Sequence, residues 1–122
     1  MKMMRKLLSL QDVKLWRNNM VKSVKIWVDD IRKAPAGYVH CYTTDNTIAE
    51  IEYCRSRKIQ IEVLDLDHDA GDFARYGGDY IKILDYMEEH GINDIPIKVH
   101  SCNPVGAKNI YHIANKNNWT IL

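Results

Sequence analysis

The sequence predicts an α/β domain built on an open, doubly wound parallel sheet. Three observations carry that prediction. Apolar, β-branched runs alternate with helix-period segments, two of those runs end directly in acidic clusters, and 122 residues with 46% apolar and 27% charged side chains suit one ordinary core. Five strands in the order 2-1-3-4-5 are expected, with helices on both faces and an extra N-terminal helix. Residues 1–22 read as a basic extension and 23–122 as the domain.

The elements follow in order. In residues 1–21, Met4, Leu7, Leu8, Leu15 and Trp16 fall at spacings that place them on one side of an amphipathic helix. Val24–Val28 is β-branched and aromatic and runs into Asp29-Asp30, as a buried strand ending at a polar edge does. Pro35 and Gly37 punctuate the chain before a second strand over Tyr38–Tyr42. Thr43, Thr44 and Asp45 then offer caps to a helix over about Thr47–Arg57, with Ile48, Ile51 and Tyr53 or Cys54 inward. Ile59–Leu64 forms a third strand that again terminates in acids, Asp65-Leu66-Asp67-His68-Asp69. Gly71, Gly77 and Gly78 mark a loop, and Asp79 is a cap for a helix carrying Tyr80, Ile83, Leu84 and Met87 and ending near Gly91. Ile95–His100 is the fourth strand, Val105–Asn115 the last helix, and Trp119–Leu122 a short fifth strand.

Charge and cysteine usage narrow the function classes. Residues 1–25 hold seven Lys/Arg against the single Asp12, whereas the remainder holds ten Lys/Arg against fifteen Asp/Glu. An acidic domain with a basic arm argues against an extended nucleic-acid surface, and leaves the N-terminal helix as the place for a protein partner. Cys41, Cys54 and Cys102 match neither a zinc pattern nor a disulfide framework, which suggests a reducing compartment. No uninterrupted apolar stretch reads as a signal core or membrane span, so a cytoplasmic protein is expected. No Gly-x-Ser-x-Gly elbow, Walker loop or dinucleotide fingerprint is present.

In open parallel sheets the ligand lies beyond the carboxyl ends of the strands. The expected order brings Asp29, Asp30, Asp65, Asp67, His68, Asp69, His100, Ser101 and Asn103 to that edge. Carboxylates forced together repel, and a hard divalent ion relieves them, so Asp29, Asp30, Asp65 and Asp67 are candidate ligands for Mg²⁺ or Mn²⁺. Asp65 and Asp67 share a side only if strand geometry persists through both, so which of them faces the cleft stays open. Asp69 and Asp72 read as caps or solvated acids. His68 and His100 are candidate proton carriers, with Asp67 orienting water. Asn103-Pro104-Val105-Gly106 reads as a turn into a helix whose N–H groups suit an anion, and Ser101, Asn103, Arg32 and Lys108 are the candidate substrate-binding residues.

Trp27-Val28-Asp29-Asp30-Ile31-Arg32-Lys33-Ala34-Pro35, Leu66-Asp67-His68-Asp69 and Val99-His100-Ser101-Cys102-Asn103-Pro104-Val105-Gly106 together resemble the cyclic-phosphate processing receiver domain family over about residues 24–115. The resemblance implies a flavodoxin-like, receiver-like fold and hydrolysis or binding of nucleotide cyclic phosphates, in stress or phage-defence settings. The chain is also similar to response-regulator receivers, whose acidic pair and strand-3 Asp hold Mg²⁺. Asp29 and Asp30 match the pair, Asp65 or Asp67 the acceptor, and Ser101 the switch hydroxyl. The receiver Lys after strand 5 has no counterpart, and His68 and His100 are foreign to ordinary receivers. The expected activity is phosphoesterase-like processing of a nucleotide cyclic phosphate. The alternatives are a non-catalytic binder that sequesters such a nucleotide, and a degenerate receiver serving as an interaction module.

Overall fold

The computed structural model describes residues 23–68, 77–101 and 103–122. Its elements are β1 (Ser23–Val28), β2 (Tyr38–Cys41), α1 (Thr44–Ser56), β3 (Gln60–Leu66), α2 (Ile81–Glu89), β4 (Ile97–Val99) and α3 (Pro104–Lys116). The expected N-terminal helix, Asp69, Asp72 and Cys102 lie outside the described residues. No helix among the described residues is long and apolar enough to cross a membrane.

All described strands pair in parallel in the order β2-β1-β3-β4. This is the expected order less its fifth strand. Trp119–Leu122 contributes one parallel bridge, Ile97 to Ile121, held by Ile97 N–H to the Thr120 carbonyl and Leu122 N–H to the Ile97 carbonyl, both 2.8 Å. The reason is local. β4 offers only three residues for pairing, and the left-handed turn at Asn118 (φ 58°) folds Trp119 back so that its N–H bonds Ala114 and its indole is buried.

The pleat sorts β1 and β3 into two faces. Ile26 and Val28 pair with Leu64 and Leu66, and Leu64 pairs in turn with Ile97, giving a fully buried apolar row. Ile51 and Cys54 of α1, Ile83, Leu84 and Met87 of α2, and Ile110 and Ala114 of α3 pack on that row. The expectation of helices on both faces is thereby corrected for the described residues, whose three helices share one face. The β1–β2 connection is short, turning through Pro35 and Gly37 (φ 86°) without a helix, and right-handed crossovers put the other connections on the same side.

Helix starts differ from the sequence reading in instructive ways. α1 begins at Thr44 because Thr43, in an extended conformation, accepts from the Asn46 N–H at 2.9 Å. Thr47 is therefore interior and buried, its hydroxyl returned to the Thr43 carbonyl, while Tyr53 faces solvent. α2 starts without a side-chain cap. Asp79 serves it through its backbone carbonyl, and Tyr80 is buried with its hydroxyl on the Tyr42 carbonyl at 2.6 Å. That bond ties the start of α2 to the end of β2.

Candidate functional site

The carboxyl end of β1 turns sharply, and Asp29 makes the turn. Its Oδ1 accepts from the Ile31 and Arg32 N–H groups, each at 2.8 Å, so the side chain replaces the backbone partners a helix would have supplied. Its Oδ2 accepts from Arg32 Nη1 at 3.1 Å and meets His100 Nε2 at 2.8 Å. Asp29 is almost wholly buried. Burial alone pushes its carboxyl up, but the Ile31 and Arg32 N–H donors and then His100 outweigh that and hold it below the ordinary carboxylate range.

His100, just past the end of β4, is locked from three directions. Nε2 meets Asp29, Nδ1 meets Asp65 Oδ1 at 2.8 Å, and the ring stacks on Trp27 with centroids 3.7 Å apart and planes 4° apart. A ring that donates from both nitrogens satisfies both carboxylates, whereas a neutral ring has one donor only. Trp27 also donates from its indole nitrogen to the Arg32 carbonyl at 3.0 Å, so one aromatic side chain steadies both the ring and the turn. His40 adds a contact to the Asp29 carbonyl at 2.8 Å.

Strand alternation puts Asp65 opposite Trp27 in the sheet, beneath the edge. Asp67 lies one pleat further out, where its Oδ1 accepts from the His68 N–H at 2.8 Å and its Oδ2 lies 3.6 Å from Arg32 Nη1. Ligand oxygens of Asp29, Asp30 and Asp67 fall within 4.8 Å of one another. Three carboxylates at that spacing form an all-oxygen donor set that fits a hard divalent ion such as Mg²⁺ or Mn²⁺. Asp65 stands outside the trio and is committed to His100.

His68 takes a different position from His100. Its ring lies against Gly106 in the first turn of α3, at a place that a Cβ on residue 106 would overlap. Its Nδ1 is enclosed and has no hydrogen-bond partner among the described residues. Asn103 caps α3 as expected, accepting from the Val105 and Gly106 N–H groups at 3.0 and 3.1 Å. That capping corrects the expectation of free N–H groups for an anion, because the side chain already fills them. Ser101 Oγ accepts from the Asn103 N–H at 3.0 Å, and Lys108 is exposed on α3. Arg32 is turned onto the acids, with a further contact at 3.5 Å to the His100 carbonyl. A separate cleft of about 330 Å³, lined by Arg55, Lys58, Gln60 and Asp94 among others, opens near the start of β3, at the opposite edge.

The structure thus brings Asp29, Asp30, Asp67, Arg32 and His100 together, with His68 and Asn103 flanking them. Trp27 and His40 were not among the sequence candidates. Trp27 was within reach of the alternation rule, since it shares a face with Asp29 two residues on.

A family model described as the cyclic-phosphate processing receiver domain matches residues 24–116. No curated protein and no solved structure matches the chain.

Proposed function

Because the chain belongs to the cyclic-phosphate processing receiver family, we propose that its carboxyl-edge cluster opens a nucleotide cyclic phosphate by hydrolysis. The observation that carries this reading is the trio Asp29, Asp30 and Asp67, with the His68 ring following directly in the chain. A divalent ion held by those acids supplies positive charge to the phosphoryl oxygens when bound. In this scheme Asp67 holds water, the water oxygen bonds to phosphorus, and one ring P–O bond breaks. His68 delivers a proton to the departing ester oxygen, while the proton lost by water leaves through the acids. The products are a phosphate monoester and a free hydroxyl. His100 keeps Asp29 in place and carries no proton in the step, since both of its nitrogens are engaged.

A second reading rests on one observation. Proton carriers are ordinarily oriented by a partner on the far nitrogen, and His68 Nδ1 has none among the described residues. The same edge would then bind a cyclic nucleotide and keep it. Incubation with 2′,3′-cyclic and 3′,5′-cyclic nucleotides and cyclic oligonucleotides, with and without Mg²⁺ or Mn²⁺, separates the two by chromatography. Ring opening that is lost in His68→Ala and Asp67→Asn supports the hydrolase. Stoichiometric recovery of intact ligand supports the binder, and intact, unbound ligands throughout defeat both.

A further inference from the structure

We infer that Arg32 is the resident cation of the acidic trio, and that a divalent ion and the Arg32 guanidinium exclude one another there. The argument begins with the count of donors on Asp29. A carboxylate has about four lone-pair sites. All four on Asp29 are taken: Ile31 and Arg32 N–H groups on Oδ1, and Arg32 Nη1 and His100 Nε2 at Oδ2. An ion that takes Asp29 as a ligand must therefore displace a donor.

Three of the four are held fast. The two N–H groups belong to the backbone of the turn. The His100 ring is fixed by Asp65 and by its stack on Trp27. Arg32 is the exposed member, with 42% of its side chain open to solvent, and its contacts include 3.1 Å to Asp29, 3.6 Å to Asp67 and 3.5 Å to the His100 carbonyl. Its Nη1 touches two of the three carboxylates that would surround the ion. Like charges do not share such a site, so binding of the ion turns the guanidinium out.

The guanidinium so released stands at the same edge, carrying a planar fork suited to phosphate oxygens. Cation binding and anion capture are thereby linked through one side chain. The inference rests on the reading that these acids take a divalent ion, and the test separates the two. Mn²⁺ affinity is measured from the paramagnetic signal of free ion for the wild-type chain, Arg32→Gln, Arg32→Lys and Asp67→Asn, each checked for folding by circular dichroism. The side-chain Nε–H resonance of Arg32 is followed in parallel during Mg²⁺ titration.

The expected result is at least tenfold tighter Mn²⁺ binding in Arg32→Gln than in wild type, no such gain in Arg32→Lys, and a saturable shift of the Arg32 resonance with Mg²⁺. Binding that depends on Asp67 but is equal or weaker in Arg32→Gln overturns the role of Arg32 and leaves the metal reading standing. Mn²⁺ binding by neither wild type nor Arg32→Gln overturns both.

Discussion

Replacing His100 by alanine removes a ring placed between two buried carboxylates. Asp29 keeps three donors after that change, the Ile31 and Arg32 N–H groups and the Arg32 guanidinium, so its charge remains compensated. Asp65 loses the partner at 2.8 Å that faces it and stays buried beneath the edge. Leaving a buried acceptor without its hydrogen-bond partner costs about 1–3 kcal/mol, and loss of the Trp27 stack adds about 0.5–1.5 kcal/mol. A destabilisation of about 2–4 kcal/mol is a large share of a domain's usual stability of about 5–15 kcal/mol. Urea unfolding at pH 7, followed by circular dichroism, measures it for His100→Ala, Asp65→Asn and the double variant. Since the Asp65→Asn change removes the buried charge that His100 faces, the double variant should be more stable than the sum of the single effects allows, by about 2 kcal/mol or more. Additivity within about 0.5 kcal/mol would refute the pairing of His100 with Asp65. The outcome also decides how activity data are read, because His100→Ala perturbs the buried acids, whereas His68→Ala leaves both of them paired.

Further outcomes are expected. Gly106→Ala gains about 0.5–1 kcal/mol from helix propensity but drives its Cβ into the His68 ring, at about 1–3 kcal/mol for overpacking. Its melting temperature should therefore not rise and the His68 ring resonances should move; a more stable variant with unmoved resonances contradicts the packing. Asn103→Ala should lose about 1 kcal/mol in urea, because the Val105 and Gly106 N–H groups lose their cap. The Asp29 carboxyl is held below its ordinary value of 3.8, so it binds protons more weakly folded than unfolded. Its stabilisation is complete above that value and drains away as pH falls through the folded one, so the urea midpoint should drop below about pH 4, and drop less in Asp29→Asn. Burial, with Glu50 adding to it, pushes the thiols of Cys41 to about 12 and Cys54 to about 11. Peptide mapping after iodoacetamide at about pH 8 should find both unmodified in native protein and modified in urea.

The strand ends were legible because an apolar run that stops at acids is a local signal, and β1 and β3 both carry it. Parallel pairing followed from the alternation of strands with helices, and the order of the four strands from the resemblance to receiver-like domains. The fifth strand misled because Trp119–Leu122 has the composition of a strand, while the shortness of β4 that denies it a ladder is a property of another segment. At the site, Asp29, Asp30 and Asp67 were found by position. The separate duties of His68 and His100 were not, since they depend on partners far away in sequence: His100 meets Asp65 and Asp29, 35 and 71 residues distant. Asp65 and Asp67 share a face by alternation, and the pairing with His100 assigns them different tasks. Asn103 was readable as a cap, but that its side chain takes both the Val105 and the Gly106 N–H groups shows only in three dimensions.

The turn after β1 is closed by the Asp29 side chain where a helix would otherwise begin. One consequence concerns how such a domain changes over generations. Trp27, Asp29, Asp65 and His100 form a floor tied together by hydrogen bonds and a ring stack, so a change there is expected to tell first on folding. Asp30, Arg32, Asp67 and His68 form a rim that is more exposed than Asp29 and Asp65 beneath it. Divergence in ligand preference should accumulate on that rim, and a library randomised at those four positions should yield mostly folded proteins.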